Sequence, residues 1–277
     1  MSLPAYIVFT DLDGTLLDHD TYAYDEALPG LQLLQEHRIP LVFCSAKTRA
    51  EQMFYREKLH AQDPFIVENG AAIVVQQDYF RQPHAFNRTA DGLQLLELGK
   101  PYAEIRNLLA EVQAELKLPL KGYGDMSVEE VARVTGLDSE AAARAKKREY
   151  EETVVTQLNE TDRERLREAL SRRNVSMISG ARFTSVSAAN DKGRAAKTLT
   201  DLFRRERGPV ITVGIGDSWN DAPLLAVMDI PLLVQRPGGT WASLPVSGIR
   251  QITGIGPKGW TQAMRTLVES GFRGGVS

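Results

Sequence analysis

The 277-residue chain is 43% hydrophobic and 25% charged, with a formal net charge of −3 and one cysteine. This is globular composition, sized for one large domain or two moderate ones, without the basic excess of a nucleic-acid-binding protein. No apolar run approaches the roughly 18 residues that cross a bilayer. The start lacks a signal-peptide pattern, and lone Cys44 excludes an intrachain disulfide, so no membrane partner and a cytoplasmic location are expected.

In chain order, residues 5–10, with the apolar run Tyr6 to Thr10, read as a buried strand. Leu28, Leu31 and Leu34 recur at helical spacing and predict a helix over 26–37. A second strand covers Leu41 to Cys44, a second helix Thr48 to Leu59 and a third strand Phe65 to Val67. Asn69-Gly70 marks a hairpin turn into Ala71 to Val75. Strand–helix alternation of this kind implies a parallel sheet.

Near residue 83 the chain becomes richer in charge and amphipathic helix. Pro101 opens a helix carrying Ile105, Leu108, Leu109, Val112 and Leu116, and Ser127 to Glu130 has the capping-box pattern. A strand over 153–156, a helix over 162–173 and strands over 175–178 and 182–186 complete an α+β insert. From Asp191 the α/β character returns: a helix through Phe203, a strongly apolar strand Val210 to Ile215 and a helix near Leu224. A short strand Pro231 to Val234, a Gly- and Pro-rich loop and a last helix over 262–269 follow. The expected organisation is a core of 1–82 and 191–277, split by an inserted domain of 83–190.

Chemistry concentrates at strand ends. Asp11 and Asp13 leave the first strand one residue apart and lie on the same side of extended backbone. Two close carboxylates favour a cation or a shared proton, and hard oxygen ligands at a loop suit Mg²⁺. An Asx-rich turn is the plainer reading of that segment alone. Gly216-Asp217-Ser218-Trp219-Asn220-Asp221 leaves a second apolar strand in the same way, at the edge where open parallel sheets bind ligands. Ser45, after the second strand, can donate to a phosphate oxygen, whereas Thr48 serves equally well as a helix cap. Lys192, at the start of the helix after the insert, can neutralise carboxylate and phosphate charge. Cys44 closes an apolar run and reads as core.

Asp11-Leu12-Asp13-Gly14-Thr15, Ser45, Lys192 and Gly216 to Asp221, in that order on a split α/β scaffold, resemble the haloacid-dehalogenase-like (HAD) hydrolase superfamily. An insert after the third strand is similar to members with a C2-type cap. The resemblance implies a Rossmann-like parallel-sheet core with an α+β cap and a phosphate-ester hydrolase. Asp11 would be the nucleophile and Asp13 the general acid and base. Ser45 and Lys192 would hold phosphate, while Asp11, Asp13 (through its carbonyl) and Asp217 would hold Mg²⁺, with Asp221 and Asn220 in support. Ser45 to Thr48, Val67 to Ala71, Arg148 to Glu152 and Gly180 to Phe183 further resemble the mannosyl-3-phosphoglycerate phosphatase family. That likeness implies a glycosyl-phosphoglycerate or other small phosphorylated sugar as substrate, with Arg182, Arg148 and Glu149 as cap contacts. Rival readings are another sugar-phosphate phosphatase, such as one for sucrose phosphate, or a phosphomutase.

Overall fold

The computed structural model describes residues 5–179, 183–188 and 190–270. Its strands and helices, in chain order, begin β1 (Ala5–Thr10), α1 (Leu28–Glu36), β2 (Leu41–Phe43), α2 (Arg49–Lys58), β3 (Phe65–Val67) and β4 (Ala72–Gln76). They continue with β5 (Arg88–Ala90), β6 (Leu93–Glu97), α3 (Tyr102–Leu116), α4 (Val128–Thr135), α5 (Ser139–Ala145), β7 (Glu151–Val154) and α6 (Glu160–Ser171). The series closes with β8 (Ser176–Ser179), β9 (Thr184–Ser187), α7 (Lys192–Arg207), β10 (Val210–Gly216), α8 (Ala222–Leu225), β11 (Ile230–Gln235), β12 (Arg250–Ile255) and α9 (Gly256–Glu269).

The chain forms two compact units. The first gathers the chain up to Ser45, Gln62–Leu96 and everything from Asp191 on; the second takes Ala46–Ala61 and Glu97–Asn190. These divisions do not follow the compositional change near residue 83. Strands β5 and β6, absent from the expected elements, join β3 and β4 in a sheet ordered β3-β4-β6-β5.

The first unit is built on a parallel sheet ordered β12-β11-β10-β1-β2. Its central strands are continuous apolar runs because both faces are covered, and Ile7, Val8, Phe9, Val213 and Ile215 are fully buried. Helices α1 and α9 pack against one another. Trp260 of α9 is fully buried, donates from Nε1 to Thr10 Oγ1 at 3.0 Å and lies against Gly30 of α1. The expected loop before Trp260 contains strand β12. Of its six residues only Ile252 is buried, so an edge strand with one anchoring side chain leaves little periodic signal.

The second unit is α+β. Its sheet is antiparallel, ordered β7-β9-β8, and Val154 and Val186 join Ile105, Leu109 and Val112 of α3 and Leu166 and Leu170 of α6 in one core. A smaller cluster forms around Tyr123, Met126, Val131, Ala142 and Ala145. The Ser127–Glu130 capping box starts α4 as expected. Strand β7 begins two residues before the expected strand, at Glu151, because pairing with Ser187 extends it across the two glutamates.

Removing the Trp260 indole takes away a fully buried ring and its hydrogen bond. Trp260→Ala is expected to destabilise the fold by about 3–5 kcal/mol, read from urea unfolding followed by far-UV circular dichroism. A loss below about 1 kcal/mol would mean that this ring is not a main anchor of the first unit.

Candidate active site

The register of the parallel sheet decides which acids meet. Thr10 is level with Ile215 on one side and Phe43 on the other, so Asp11, Gly216 and Cys44 stand in a row. The Asp11 N–H donates to the Ile215 carbonyl at 2.9 Å, and the Cys44 N–H to the Thr10 carbonyl at 2.8 Å. Asp217 and Ser45 therefore emerge on either side of the Asp11–Asp13 turn.

Gly14 closes that turn with φ +75°, and a Cβ there would lie 2.9 Å from Asp217 Oδ2. The two acidic loops can approach this closely because residue 14 has no side chain. On the β10 side, Trp219–Asp221 form a 3₁₀ turn. Asp221 is fully buried and its Oδ2 accepts from the N–H groups of Asp217 (3.1 Å) and Ser218 (3.2 Å). Ser218 Oγ donates to Asn220 Oδ1 at 2.6 Å, so Asn220 stabilises the loop itself.

The third contribution comes from α7. Asp191 caps this helix, accepting from the N–H groups of Gly193 (2.7 Å) and Arg194 (3.2 Å), which sets Lys192 at the first helical position. At Gly70, with φ +96°, a Cβ would fall 2.3 Å from the Asp191 carbonyl oxygen. A glycine is thus required for the β3–β4 turn to pass beneath the helix start. Lys192 reaches inward, and Nζ donates to Asp11 Oδ1 and Asp221 Oδ1, each at 2.7 Å. Lys192 is 2% exposed.

Oxygen atoms of Asp11, Asp217 and Asp221 all lie within 4.8 Å of one another. Burial, then repulsion from Asp221, pushes Asp11 well above the usual carboxylate range against the pull of Lys192. Burial and Asp221 likewise raise Asp217, to about 7. Burial works against the Lys192 charge, but Asp11 and Asp221 outweigh it and hold its pKa above the ordinary lysine value. The buried centre has three carboxylates and one ammonium ion, and Asp217 Oδ1 has no hydrogen-bond partner among the described residues. Crowded carboxylate oxygens with an unsatisfied buried atom fit a hard divalent cation such as Mg²⁺. Asp221 has both oxygens committed to Lys192 and to the loop amides, which leaves Asp11 and Asp217 the more open donors.

The remaining expected residues fall as follows. Ser45 is 1% exposed at the end of β2, its carbonyl accepting from the Asn69 N–H at 3.0 Å. Asp13 follows Asp11 in the turn and forms an isolated bridge with Leu17. Cys44 is buried, and burial raises its thiol pKa, as befits a core residue. Thr48 accepts from the Glu51 N–H and caps α2. In the second unit, Arg148 Nη1 donates to the Ala46 carbonyl (2.9 Å) and lies 3.4 Å from Glu151, while Glu149 accepts from Arg49 Nε at 2.9 Å. Arg182 lies outside the described residues. Sequence reasoning missed Arg236, whose Nε is 3.9 Å from Asp217 Oδ2. It stands 19 positions beyond Asp217 in a loop with no charge pattern to mark it.

A parallel sheet with paired acids at the ends of two adjacent strands and a lysine delivered by a third segment defines a hydrolase core of the HAD type. The family model described as haloacid dehalogenase-like hydrolase matches residues 8–235, and the chain belongs to that family. It is 40% identical over 264 residues to the glucosyl-3-phosphoglycerate/mannosyl-3-phosphoglycerate phosphatase of Methanococcoides burtonii, covering 95% of this chain and 97% of the relative. It is 40% identical over 229 residues to the mannosyl-3-phosphoglycerate phosphatase of Pyrococcus furiosus, covering 82% and 90% respectively. The fold is shared with the crystal structure of a haloacid dehalogenase-like hydrolase from Bacteroides thetaiotaomicron, at a TM-score of 0.66 and 16% identity over 95% of this chain and 99% of that one.

If Lys192 neutralises the buried acids, its loss strands them. Lys192→Met is expected to destabilise the protein by about 3–5 kcal/mol near neutral pH. The penalty should shrink as pH falls, because carboxyl groups whose pKa values are already raised then take up protons. Urea unfolding at pH 7.5 and pH 5 reads the difference, and an equal penalty at both would contradict the charge balance.

Proposed function

We propose that this chain is a Mg²⁺-dependent phosphatase that hydrolyses a glycosyl-3-phosphoglycerate, most simply mannosyl-3-phosphoglycerate, to the glycosylglycerate and phosphate. The observation that carries the reading is the buried Lys192 bridging Asp11 and Asp221 beside Asp217, in a chain 40% identical to enzymes named for that activity. The proposed cellular location is the cytoplasm, where a lone buried cysteine stays reduced.

In this mechanism an Asp11 oxygen attacks phosphorus and the ester oxygen leaves, giving an aspartyl-phosphate. Asp13 gives its proton to the departing glycerate oxygen. It then takes a proton from the water that cleaves the acyl phosphate, the two half-reactions needing opposite transfers. Ser45 donates to a phosphoryl oxygen, and Lys192 holds Asp11 in line while placing positive charge beside the phosphoryl group. Positioning and electrostatic stabilisation carry most of the catalysis. Asp11, the Asp13 carbonyl and Asp217 would hold Mg²⁺, with Asp221 and Asn220 shaping the loop. When bound, the ion offsets repulsion between the nucleophile and the phosphate oxygens. The second unit is proposed as the C2-type cap that selects the glycosyl group, with Arg148, Glu149 and Arg182 as its polar contacts.

Phosphate release should be fastest with mannosyl- or glucosyl-3-phosphoglycerate in a panel that includes sucrose phosphate. Asp11→Asn should lower the rate by at least about three orders of magnitude, the scale of losing a covalent nucleophile, with the circular dichroism spectrum unchanged. Turnover by Asp11→Asn at the parental rate would remove the nucleophile assignment, and an isomeric phosphorylated product would favour a mutase.

Asp217, raised to about 7, binds a proton that a divalent cation must displace. In the metal-free protein this group lowers stability as pH climbs from the carboxylate range through 7, because the folded state must then give up a proton that the unfolded state released earlier. Added Mg²⁺ should therefore raise the melting temperature more at pH 8 than at pH 6, and Asp217→Asn should reduce the difference, Asp11 with its own raised pKa supplying the remainder. A shift independent of pH in the parent would exclude Asp217 as a ligand.

A further inference from the structure

We infer that Arg236 is the residue that recognises the carboxylate of a phosphorylated hydroxy-acid substrate. The inference rests on the phosphoglycerate reading above and adds a specificity determinant on the catalytic unit itself.

The backbone that carries Arg236 is built to hold it. At the end of β11 the Arg236 N–H donates to the Thr240 carbonyl (2.8 Å), and the Gly239 N–H returns to the Arg236 carbonyl (2.9 Å). Gln235 locks the turn from the side, donating from Nε2 to the Gly239 carbonyl (2.6 Å) and accepting at Oε1 from the Gly254 N–H (2.7 Å). A turn held by backbone bonds and by the Gln235 side chain suits a residue whose position matters.

The side chain itself is uncommitted. Nε is shielded from solvent yet hydrogen-bonds to no described residue, and it stands 3.9 Å from Asp217 Oδ2, the outer limit of an ion pair. The side chain as a whole is 42% exposed. Lys192 presents the opposite case, buried and bound to two carboxylates at 2.7 Å. Lys192 serves the buried acids; Arg236, half-exposed and hydrogen-bonded to none of them, carries a planar fork of donors that matches a carboxylate in two parallel hydrogen bonds.

Position argues for the carboxylate over the phosphate. The sheet order places Ser45 at the β2 side of Asp11 and Arg236 at the β11 side, beyond Asp217. In 3-phosphoglycerate the carboxyl carbon is four bonds from phosphorus, a reach of at most roughly 5 Å. That reach equals about one strand spacing of 4.8 Å. A phosphoryl group at Asp11 thus leaves the carboxylate within reach of the end of β10, where the Arg236 Nε lies 3.9 Å from Asp217.

The test uses two competitors that differ only in that group. Turnover of p-nitrophenyl phosphate by the full chain with Mg²⁺ is inhibited with 3-phosphoglycerate and with glycerol 3-phosphate, which carries a hydroxymethyl in place of the carboxylate. The parent should prefer 3-phosphoglycerate by about tenfold or more, the scale of a charged hydrogen-bonded pair. Arg236→Gln should bring the two inhibition constants within about twofold of each other, and Arg236→Lys should keep part of the preference. A parent without preference, or a preference that survives in Arg236→Gln, overturns the assignment. Should Arg236→Gln fail to fold, the parental preference and the Arg236→Lys variant decide alone. Hydrolysis of the glycosyl-3-phosphoglycerates is measured separately. An enzyme that rejects them yet shows an Arg236-dependent preference for 3-phosphoglycerate would retire the substrate reading and keep this one.

Discussion

The contact on which the first unit is organised is the pair of hydrogen bonds from buried Lys192 to Asp11 and Asp221. Removing an ammonium ion and two carboxylates from water is costly, and the cost is offset only when charge and geometry match closely. Here the match has three origins: the end of β1, the 3₁₀ turn after β10 and the first residue of α7. Residues 11, 192 and 221 come together only when the sheet is in register and α7 has docked. Folding and assembly of the reactive centre are therefore one event.

The surrounding structure is shaped to permit that contact. Asp191 fixes the helix start through its own cap, so Lys192 leaves the helix in a set direction. Gly70 lets the β3–β4 turn lie under the Asp191 carbonyl, and Gly14 lets the first acidic turn come within reach of Asp217. Behind the sheet, the Trp260 indole bonds to Thr10, the residue just before the nucleophile candidate. Interiors are packed too tightly for such neighbours to move independently. The position of Asp11 is thereby defined from the core side as well as from the solvent side.

Much of this was legible in the amino-acid sequence because it rests on short, local patterns. Apolar runs ending in Asp11-Leu12-Asp13-Gly14 and in Gly216-Asp217 announce buried parallel strands whose ends carry acids, and parallel order brings such ends together. The Ser127–Glu130 box and the Thr48 cap are likewise local. What stayed hidden depends on partners distant in sequence. Strand β12 has one buried residue, and β5 is a three-residue segment with none, so neither carries a periodic signal. The division into units cuts the chain after Ser45 and again after Ala61, although nothing in composition changes there. Arg236 gains meaning only from the sheet order that sets β11 next to β10. Arg148 and Glu149, proposed as substrate contacts, also bond Ala46 and Arg49 within the second unit, pairings that adjacent sequence does not announce.

The commitment of Lys192 limits how such an enzyme can vary its substrate. Replacing a residue that balances buried acids costs stability, so under the proposed mechanism Lys192 would supply a constant positive field to any phosphoryl group. The same holds for Asp221, whose two oxygens are taken up by Lys192 and by the amides of its own loop. Selection has to come from groups outside that balance. Arg236 would be one under the inference above: its turn is held by backbone and by Gln235, so its side chain can change while the turn persists. The polar residues of the second unit would be another on the proposed reading, because that unit has hydrophobic cores of its own. On the proposed reading, a fold divided in this way would keep phosphoryl chemistry constant in one unit and leave the peripheral cation and the second unit free to diverge toward different phosphorylated acids and sugars.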